Sequence, residues 1–479
     1  MKANELLRHI GIATDSETEI TSICNDSRRV KEGSLFISMS GRGSTDYGAY
    51  IEDAERRGAA AVVTEELRET ASSLPQFPVP DAGEAYAILS AAFFGFPAKD
   101  LTLIGVTGTN GKTSSAYFTK AILEHAGVKT GLIGTVETLA GDEVISTGLT
   151  TPEAFELHAI FKKMRDKGIT HVVMECSSQA LAQKRLFGLS YETVGFTNLT
   201  QDHLDYHGNF DAYREAKGIV FGQTKRGILN RDDAEYPYFS SLVNESESYS
   251  VTDAAADFFA SDVVYGAHGC RFTLCYRGET YPVSVSTPGR FAVSNALCAI
   301  AMAVSAGVDV KTACEGMSEA PGVKGRAEVC FQNDRFTVLI DYAHTPDAIM
   351  NILKAVESKG RKVVLFGCGG DRDSTKRPLM ASMAARYADK LIVTSDNPRT
   401  EDPMKIIDDI LLGLHNVDVP YVTIPDRKEA IAHALSTAEP NDTIFLLGKG
   451  HEDYQILSTG KIHFDEREIV KELIGELRL

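Results

Sequence analysis

Between Gly105 and Thr113 the chain reads Gly-Val-Thr-Gly-Thr-Asn-Gly-Lys-Thr. Small residues let successive backbone N–H groups turn toward one point. A lysine followed by a hydroxyl residue adds a mobile positive charge and an oxygen ligand. An apolar run, Leu101 to Val106, predicts a strand feeding the loop, and the segment from Lys112 through Ile122 predicts the helix that leaves it. Strand, glycine loop and helix together make a phosphate cradle, in which backbone amides and a helix N-terminus face the anion. Lys112 would reach the β/γ-phosphates of a nucleotide, and Thr113 would ligate Mg²⁺. The loop is a variant, because Val106 stands where the common eight-residue pattern has its first glycine, with Gly105 and Gly108 beside it.

A second constellation lies downstream. Met174-Glu-Cys-Ser-Ser178 follows one predicted strand, and Asn198-Leu-Thr-Gln-Asp-His-Leu-Asp-Tyr-His-Gly208 follows the next. Ligand groups in open α/β sheets gather at the carboxyl ends of strands. Glu175 and His203 are therefore expected to face the phosphates, and either could ligate a divalent cation. The i, i+4 spacing of His203 and His207, with Asp202 and Asp205, also permits a zinc site. The phosphate loop asks for Mg²⁺ instead, and no third soft ligand stands nearby.

Positioning such groups requires a sheet, and the rest of the chain reads as α/β. Residues 1–97 hold short apolar strands, Ser34 to Met39 and Ala59 to Thr64, then a proline-rich passage and a helix stopping near Phe96-Pro97. From 98 to 325, strands such as His171 to Met174 and Thr193 to Thr197 alternate with helical segments, predicting a mostly parallel sheet around the phosphate loop. Residues 257–286 alternate apolar and polar positions and predict an antiparallel extension. From 326 to 479 the alternation restarts, with strands at 336–340, 362–366, 390–394 and 443–447, predicting a doubly wound, Rossmann-like C-terminal domain. Three domains suit a chain of 479 residues, too long for one core. A hydrophobic content of 43% with 24% charged residues is that of a globular protein. No apolar run approaches the roughly 18 residues of a membrane span, and the N-terminus lacks a signal-peptide core. Eight scattered cysteines without a CxxC pair indicate reduced thiols in a cytoplasm. A net charge of −17 argues against a nucleic-acid surface but leaves room for a locally positive anion pocket.

Taken in order, the phosphate loop, Asp202-His-Leu-Asp-Tyr-His207, Asp341-Tyr-Ala-His-Thr-Pro346 and Gly448-Lys-Gly-His-Glu452 resemble the ATP-dependent Mur ligases of peptidoglycan synthesis. Within them the resemblance is to the MurE type, which adds the third residue of the stem peptide. It extends over essentially the whole chain. The loop alone would indicate only a wider superfamily that includes folylpolyglutamate and cyanophycin ligases. An L-lysine-adding enzyme and a non-catalytic muropeptide sensor compete with the diaminopimelate-adding reading.

The resemblance implies a role for each matching residue. Gly108, Thr109, Asn110, Gly111, Lys112, Thr113 and Ser114 would hold the ATP phosphates, with Asn295, Arg326 and Asp341 at the rest of the nucleotide. Thr113, Glu175, His203 and a carbamylated Lys217 would bind Mg²⁺; an ammonium would repel the ion, whereas a carbamate supplies anionic oxygens. Asn25 and Ser27, then Arg42, Gly43 and Ser44, would bind the uridine nucleotide in the first domain. Thr150, Thr151, Ser177, Gln183 and Arg185 would contact the muramoyl peptide. Arg372, Asp396, Asn397, Pro398, Arg399, Gly448 and Glu452 would receive the incoming amino acid. The Asp396-Asn-Pro-Arg399 form accompanies addition of meso-diaminopimelate in the family, with Arg399 gripping the distal carboxylate. His344 is a candidate general base. Implied partners are UDP-muramoyl dipeptide, ATP and diaminopimelate, on a monomer. The chain departs from the family at Leu149, Gln179, Ser114 and Asp46-Tyr-Gly48.

Overall fold

A computed structural model describes residues 1–39, 47–266, 269–415 and 417–477. Arg42, Gly43, Ser44 and Asp46 lie outside the described residues. The chain forms two compact units, Met1–Phe259 with Leu297–Gly316, and Ala260–Ala296 with Met317–Leu479. Each of the three segments read as α/β carries its own sheet.

In the first unit, strands Ser22–Cys24, Ser34–Ser38, Ala59–Thr64 and Gln76–Pro78 pair in chain order, all parallel. The following helix, Ala82–Phe93, starts at Asp81, whose carboxylate accepts from the Glu84 amide at 2.8 Å. This is the usual way an aspartate satisfies an orphan donor of the first turn. The chain then bends at Phe96, with φ of 54°, before Pro97.

The loop-bearing strand is Thr102–Thr107, with Leu103, Ile104 and Val106 buried. It lies between His171–Glu175 and Tyr191–Phe196, parallel to both. Thr130–Ile133 extends the sheet on one side, Thr224–Asn230 and Ser246–Ser250 on the other. An antiparallel hairpin, Thr138–Ala140 with Glu143–Ile145, closes one edge. Register decides what meets the loop. Val106 pairs with Glu175, and Thr107 with Phe196, so the segments after all three strands emerge side by side. The helix after the loop runs from Lys112 to His125, one turn beyond the sequence expectation.

In the second unit, Gly269–Tyr276 and Glu279–Val285 form the expected antiparallel hairpin. The C-terminal sheet has Phe336–Asp341, Asp442–Leu447, Lys362–Phe366, Lys390–Val393 and Tyr421–Thr423 side by side and parallel, with Glu328–Gln332 antiparallel at one edge. Their interiors are apolar and buried, as a sheet covered on both faces requires. Among the described residues no helix is long and apolar enough to cross a membrane. All eight cysteines are free thiols.

Candidate active site

The phosphate loop is held open by the neighbouring strand's exit. The Thr109 amide donates to Asn198 O at 2.8 Å, and the Asn110 amide to Asn198 Oδ1 at 3.0 Å. Asn198 Nδ2 and Thr197 Oγ1 return bonds to Asn110 O, at 3.0 and 2.6 Å. Gly108 has φ of +143°, and a Cβ there would meet Thr197 Oγ1 at 1.9 Å, so only glycine fits. Gly111, with φ of 89°, starts the helix, and Thr113 and Ser114 are buried in its first turn. Lys112 Nζ folds back over the loop to Gly108 O and Thr109 O, both at 2.8 Å.

Lys217 reaches the same carbonyl. Asn209 caps the helix Phe210–Gly218 by accepting from the Ala212 amide at 2.9 Å. The spacing of Tyr213, Ala216 and Lys217 puts all three on its buried face. Lys217 Nζ donates to Gly108 O at 2.7 Å and sits 4.7 Å from the Tyr213 ring centroid. Burial first, and then the charge of Lys112, hold its ammonium well below the ordinary lysine range. Tyr213 joins the loop too, its hydroxyl 3.0 Å from Thr109 Oγ1.

Glu175 is buried at the end of its strand. Its carboxylate accepts from the Thr135 amide at 2.8 Å and the Thr135 hydroxyl at 3.1 Å. His203, with φ of 52°, is exposed, and its Nε2 lies 3.5 Å from Asp202 Oδ2. His207 turns inward, Nε2 3.0 Å from Ser178 Oγ, against the Tyr206 and Tyr213 rings. The i, i+4 histidine pair therefore does not converge. Among the described residues no three His, Cys, Asp or Glu side chains form a metal-holding group.

The residues expected at the muramoyl peptide come together in one network. Thr151 Oγ1 donates to Glu175 O at 2.8 Å and lies 3.0 Å from Ser177 Oγ; Thr150 Oγ1 is 3.0 Å from Thr135 Oγ1. Arg185 donates to Thr151 O at 3.0 Å and to Gln183 Oε1, and pairs with Glu153 at 2.9 Å. Glu153 in turn accepts from Asn25 Nδ2 at 3.1 Å. One carboxylate thus ties the first sheet to the central one. Ser27 is buried in a short 3-10 turn capped by Asp26. Of the departures, Leu149 is exposed, and Gln179 lies in the helix Ser178–Ala182, which Ser177 caps.

In the second unit, Asp341 ends its strand with Oδ2 accepting from the Ala327 amide at 2.7 Å and Oδ1 from the Ala343 amide at 2.8 Å. Burial raises its carboxyl against the lowering effect of Arg326 and these amides. Arg326 stacks over the Tyr342 ring at 5.2 Å, and Asn295 is buried in the helix Arg290–Ser305. His344 Nδ1 lies 2.7 Å from Tyr342 O, a contact that only a protonated Nδ1 can make, which leaves Nε2 as the acceptor. Crowding by protein lowers the basicity of this ring, and Lys376 and Arg326 add to the effect.

The Asp396-Asn-Pro-Arg399 loop follows its strand as expected, with Asp396, Asn397 and Pro398 buried. Asn397 Nδ2 donates to Glu452 Oε2 at 2.8 Å, and its Oδ1 accepts from the Ile456 amide at 2.9 Å. Arg399 Nη1 donates to Gly370 O at 2.8 Å, and the Gly370 amide to Asn397 O at 2.9 Å. The loop carrying Arg372, which is exposed, is thereby clasped to the loop carrying Arg399. Gly448, at φ of +111°, lets the chain pass Asp396. Thr135, Glu153, Thr197 and Asn198 escaped the sequence reading. Only Asn198 carried a signal, as the first residue of a motif.

The family model described as Mur ligase middle domain matches residues 106–303, and that described as Mur ligase, glutamate ligase domain matches 325–450. The chain is 42% identical over 484 residues to the UDP-N-acetylmuramoyl-L-alanyl-D-glutamate--2,6-diaminopimelate ligase of Caldanaerobacter subterraneus subsp. tengcongensis, covering 99% of each. A Clostridium acetobutylicum relative named ligase 1 of the same activity is 42% identical over 471 residues, with 97% of each chain covered. A solved structure of such a diaminopimelate ligase superposes with a TM-score of 0.71 at 30% identity, covering 100% of both chains. MurF from Acinetobacter baumannii shares the fold, with a TM-score of 0.62 at 18% identity over 99% of this chain and 98% of its own. With full-length relatives at this identity, and with the phosphate loop and both family segments where the structure has them, the chain belongs to the Mur ligases.

Proposed function

We propose that this enzyme adds meso-diaminopimelate to the D-glutamyl γ-carboxylate of UDP-N-acetylmuramoyl-L-Ala-D-Glu, consuming ATP, in the cytoplasm. The observation that carries the ligase reading is the meeting of Lys112 and the buried Lys217 at Gly108 O, in a glycine loop that leads into a helix N-terminus. The acceptor and the amino acid follow from the activity named for the full-length relatives. The loop after Lys390–Val393, with its buried Asp396 and Asn397, is consistent with that amino acid.

A carboxylate is a poor electrophile, so the reaction needs activation by phosphoryl transfer to an acyl phosphate. Lys112 and the helix N-terminus that follows the loop would neutralise charge on the transferred group, since the Thr109 and Asn110 amides are held by Asn198. The donor set of Thr113 hydroxyl, Glu175 carboxylate, His203 imidazole and carbamylated Lys217 is hard and oxygen-rich, which fits Mg²⁺. When bound, that ion would supply electrostatic stabilisation of the phosphates. A buried lysine amine that donates to a carbonyl beside an aromatic ring, with its charged form disfavoured, is the starting point that a carbamate requires. Asn25, Thr150, Thr151, Ser177, Gln183 and Arg185 would orient the UDP-muropeptide. Arg399 would grip the distal carboxylate of diaminopimelate, and Glu452 would face its ammonium. The amine must be neutral to attack, and His344 Nε2 is the candidate acceptor for its proton. Residues 1–97, 98–325 and 326–479 would serve as uridine, ATP and amino-acid domains.

The test is phosphate release over a panel of acceptors and amino acids. Steady release is expected only when ATP, UDP-muramoyl dipeptide and meso-diaminopimelate are all present. Release with folyl or polypeptide acceptors and none with UDP-muropeptide would overturn the reading.

A further inference from the structure

Lys449 is fully buried and belongs to none of the groups placed at the substrates. Its ammonium lies 3.2 Å from Glu452 Oε2, 3.3 Å from Asn397 Oδ1 and 3.8 Å from Asp396 Oδ1. The Tyr454 and Phe464 ring centroids stand 5.7 and 5.9 Å away. The backbone is shaped to send this side chain inward. Its two neighbours are glycines with φ of +111° and +54°. A Cβ on Gly448 would meet Asp396 Oδ2 at 2.6 Å, and one on Gly450 would meet Tyr342 Cβ at 2.6 Å. Both flanking positions exclude a side chain, and the lysine between them fills the space among three residues of the amino-acid pocket.

Charge counting gives this placement a purpose. Asp396 and Glu452 bring two negative charges and Lys449 returns one positive charge. Behind them Arg427 and Glu466, both buried and 2.8 Å apart, balance each other. Within this cluster one net negative charge remains beside the site assigned to the distal ammonium, while Arg372 and Arg399 bring the pocket's remaining positive charge. We propose that Lys449 is a positioning residue for the incoming amino acid. It fixes Asn397 and Glu452 in register and offsets one of the two negative charges beside the ammonium site. This role rests on the reading of Asp396, Asn397 and Glu452 as the amino-acid pocket. A buried charge is tolerated only when its partners are well placed, so removing the lysine should loosen all three.

The test compares Lys449→Met, Lys449→Gln and Lys449→Arg by phosphate release, varying each substrate in turn, with thermal unfolding as a check of folding. The KM for meso-diaminopimelate should rise about tenfold or more in the Met and Gln variants, the loss expected of one charge-assisted contact. The KM values for ATP and UDP-muropeptide should stay within about twofold. Lys449→Arg should recover part of the loss. An unchanged diaminopimelate KM in a folded neutral variant, or equal rises in all three KM values, overturns the proposal. So does failure of both neutral variants to fold while Lys449→Arg behaves as wild type, because that outcome makes the lysine purely structural. If the wild type releases no phosphate with diaminopimelate, the enzyme reading itself fails, and that is seen before any variant is compared.

Discussion

Replacing Gly108 by alanine tests how tightly the phosphate loop is held. At φ of +143° a side chain is already strained, and the new Cβ would lie 1.9 Å from Thr197 Oγ1 and 3.0 Å from Asn198 O. The hydroxyl has no easy escape, since Thr197 is buried and donates to Asn110 O at 2.6 Å and to Thr107 O at 3.2 Å. The unfavourable backbone conformation costs about 1–2 kcal/mol. The displaced hydrogen bond costs about 1 kcal/mol, and overpacking about 1–3 kcal/mol. The loop can relax, so a total of about 3–6 kcal/mol divides between folding stability and nucleotide affinity. If all of it fell on stability, Tm would drop by about 5–10 °C for a unit of this size. Thermal unfolding with and without a non-hydrolysable ATP analogue separates the two shares. The expected result is a lower Tm together with a smaller rise on adding nucleotide. Thr197→Ala in the same chain removes the worst contact, so the double variant should be less damaged than the two single losses added, by about 1 kcal/mol or more. A Gly108→Ala protein with Tm within about 1 °C of wild type and unchanged nucleotide affinity would refute the described clasp.

Lys112→Ala should abolish turnover. Lys217→Ala should nearly do so and be partly rescued by short carboxylic acids, and undiminished activity of Lys217→Ala in bicarbonate-free buffer would remove the carbamate. Arg399→Ala should lower kcat/KM for meso-diaminopimelate about tenfold to a hundredfold while leaving L-lysine little affected; a wild type that prefers L-lysine would contradict the specificity reading. His158 is buried, and burial pushes its imidazole down to about 4. The unfolded chain, with an ordinary value of about 6.5, takes up the proton first, so stability falls from about pH 6.5 to pH 4 and levels off below. By pH 5 that loss is about 2 kcal/mol, and urea midpoints of His158→Leu should show a correspondingly shallower acid slope; equal slopes in both proteins would exclude it.

The sheets were legible because strands buried on both faces are written as continuous apolar runs. Leu103 to Val106 and Lys362 to Phe366 appear where those runs placed them. Boundaries moved by a turn or less where the signal is weakest. The strand expected to reach Thr394 stops at Val393, and the loop helix continues past Ile122 to His125. The division of the chain at Phe259 and Leu297 has no local signature. It depends on which distant segments pack together, and no spacing of neighbouring residues encodes that.

The site divides along the same physical line. A phosphate loop is legible because its function is carried by the backbone of consecutive residues. Lys217 is the opposite case: Tyr213-Arg-Glu-Ala-Lys217 reads as a helix whose lysine belongs in water, and only the family resemblance singled it out. Its burial comes from sharing a helix face with Tyr213 and Ala216, both packed inward. Glu153 stands at the start of the helix Ala154–Asp166, where a carboxylate reads as a favourable N-terminal charge. It makes no side-chain capping bond, and its partner Asn25 is 128 residues away. Lys449 hides in the same way between two glycines that read as loop. In each case the local chain states a charge that must be satisfied, and only the fold supplies the partner. Charged residues in glycine-flanked or apolar-flanked positions are therefore the places where a sequence reading should expect its unassigned site residues.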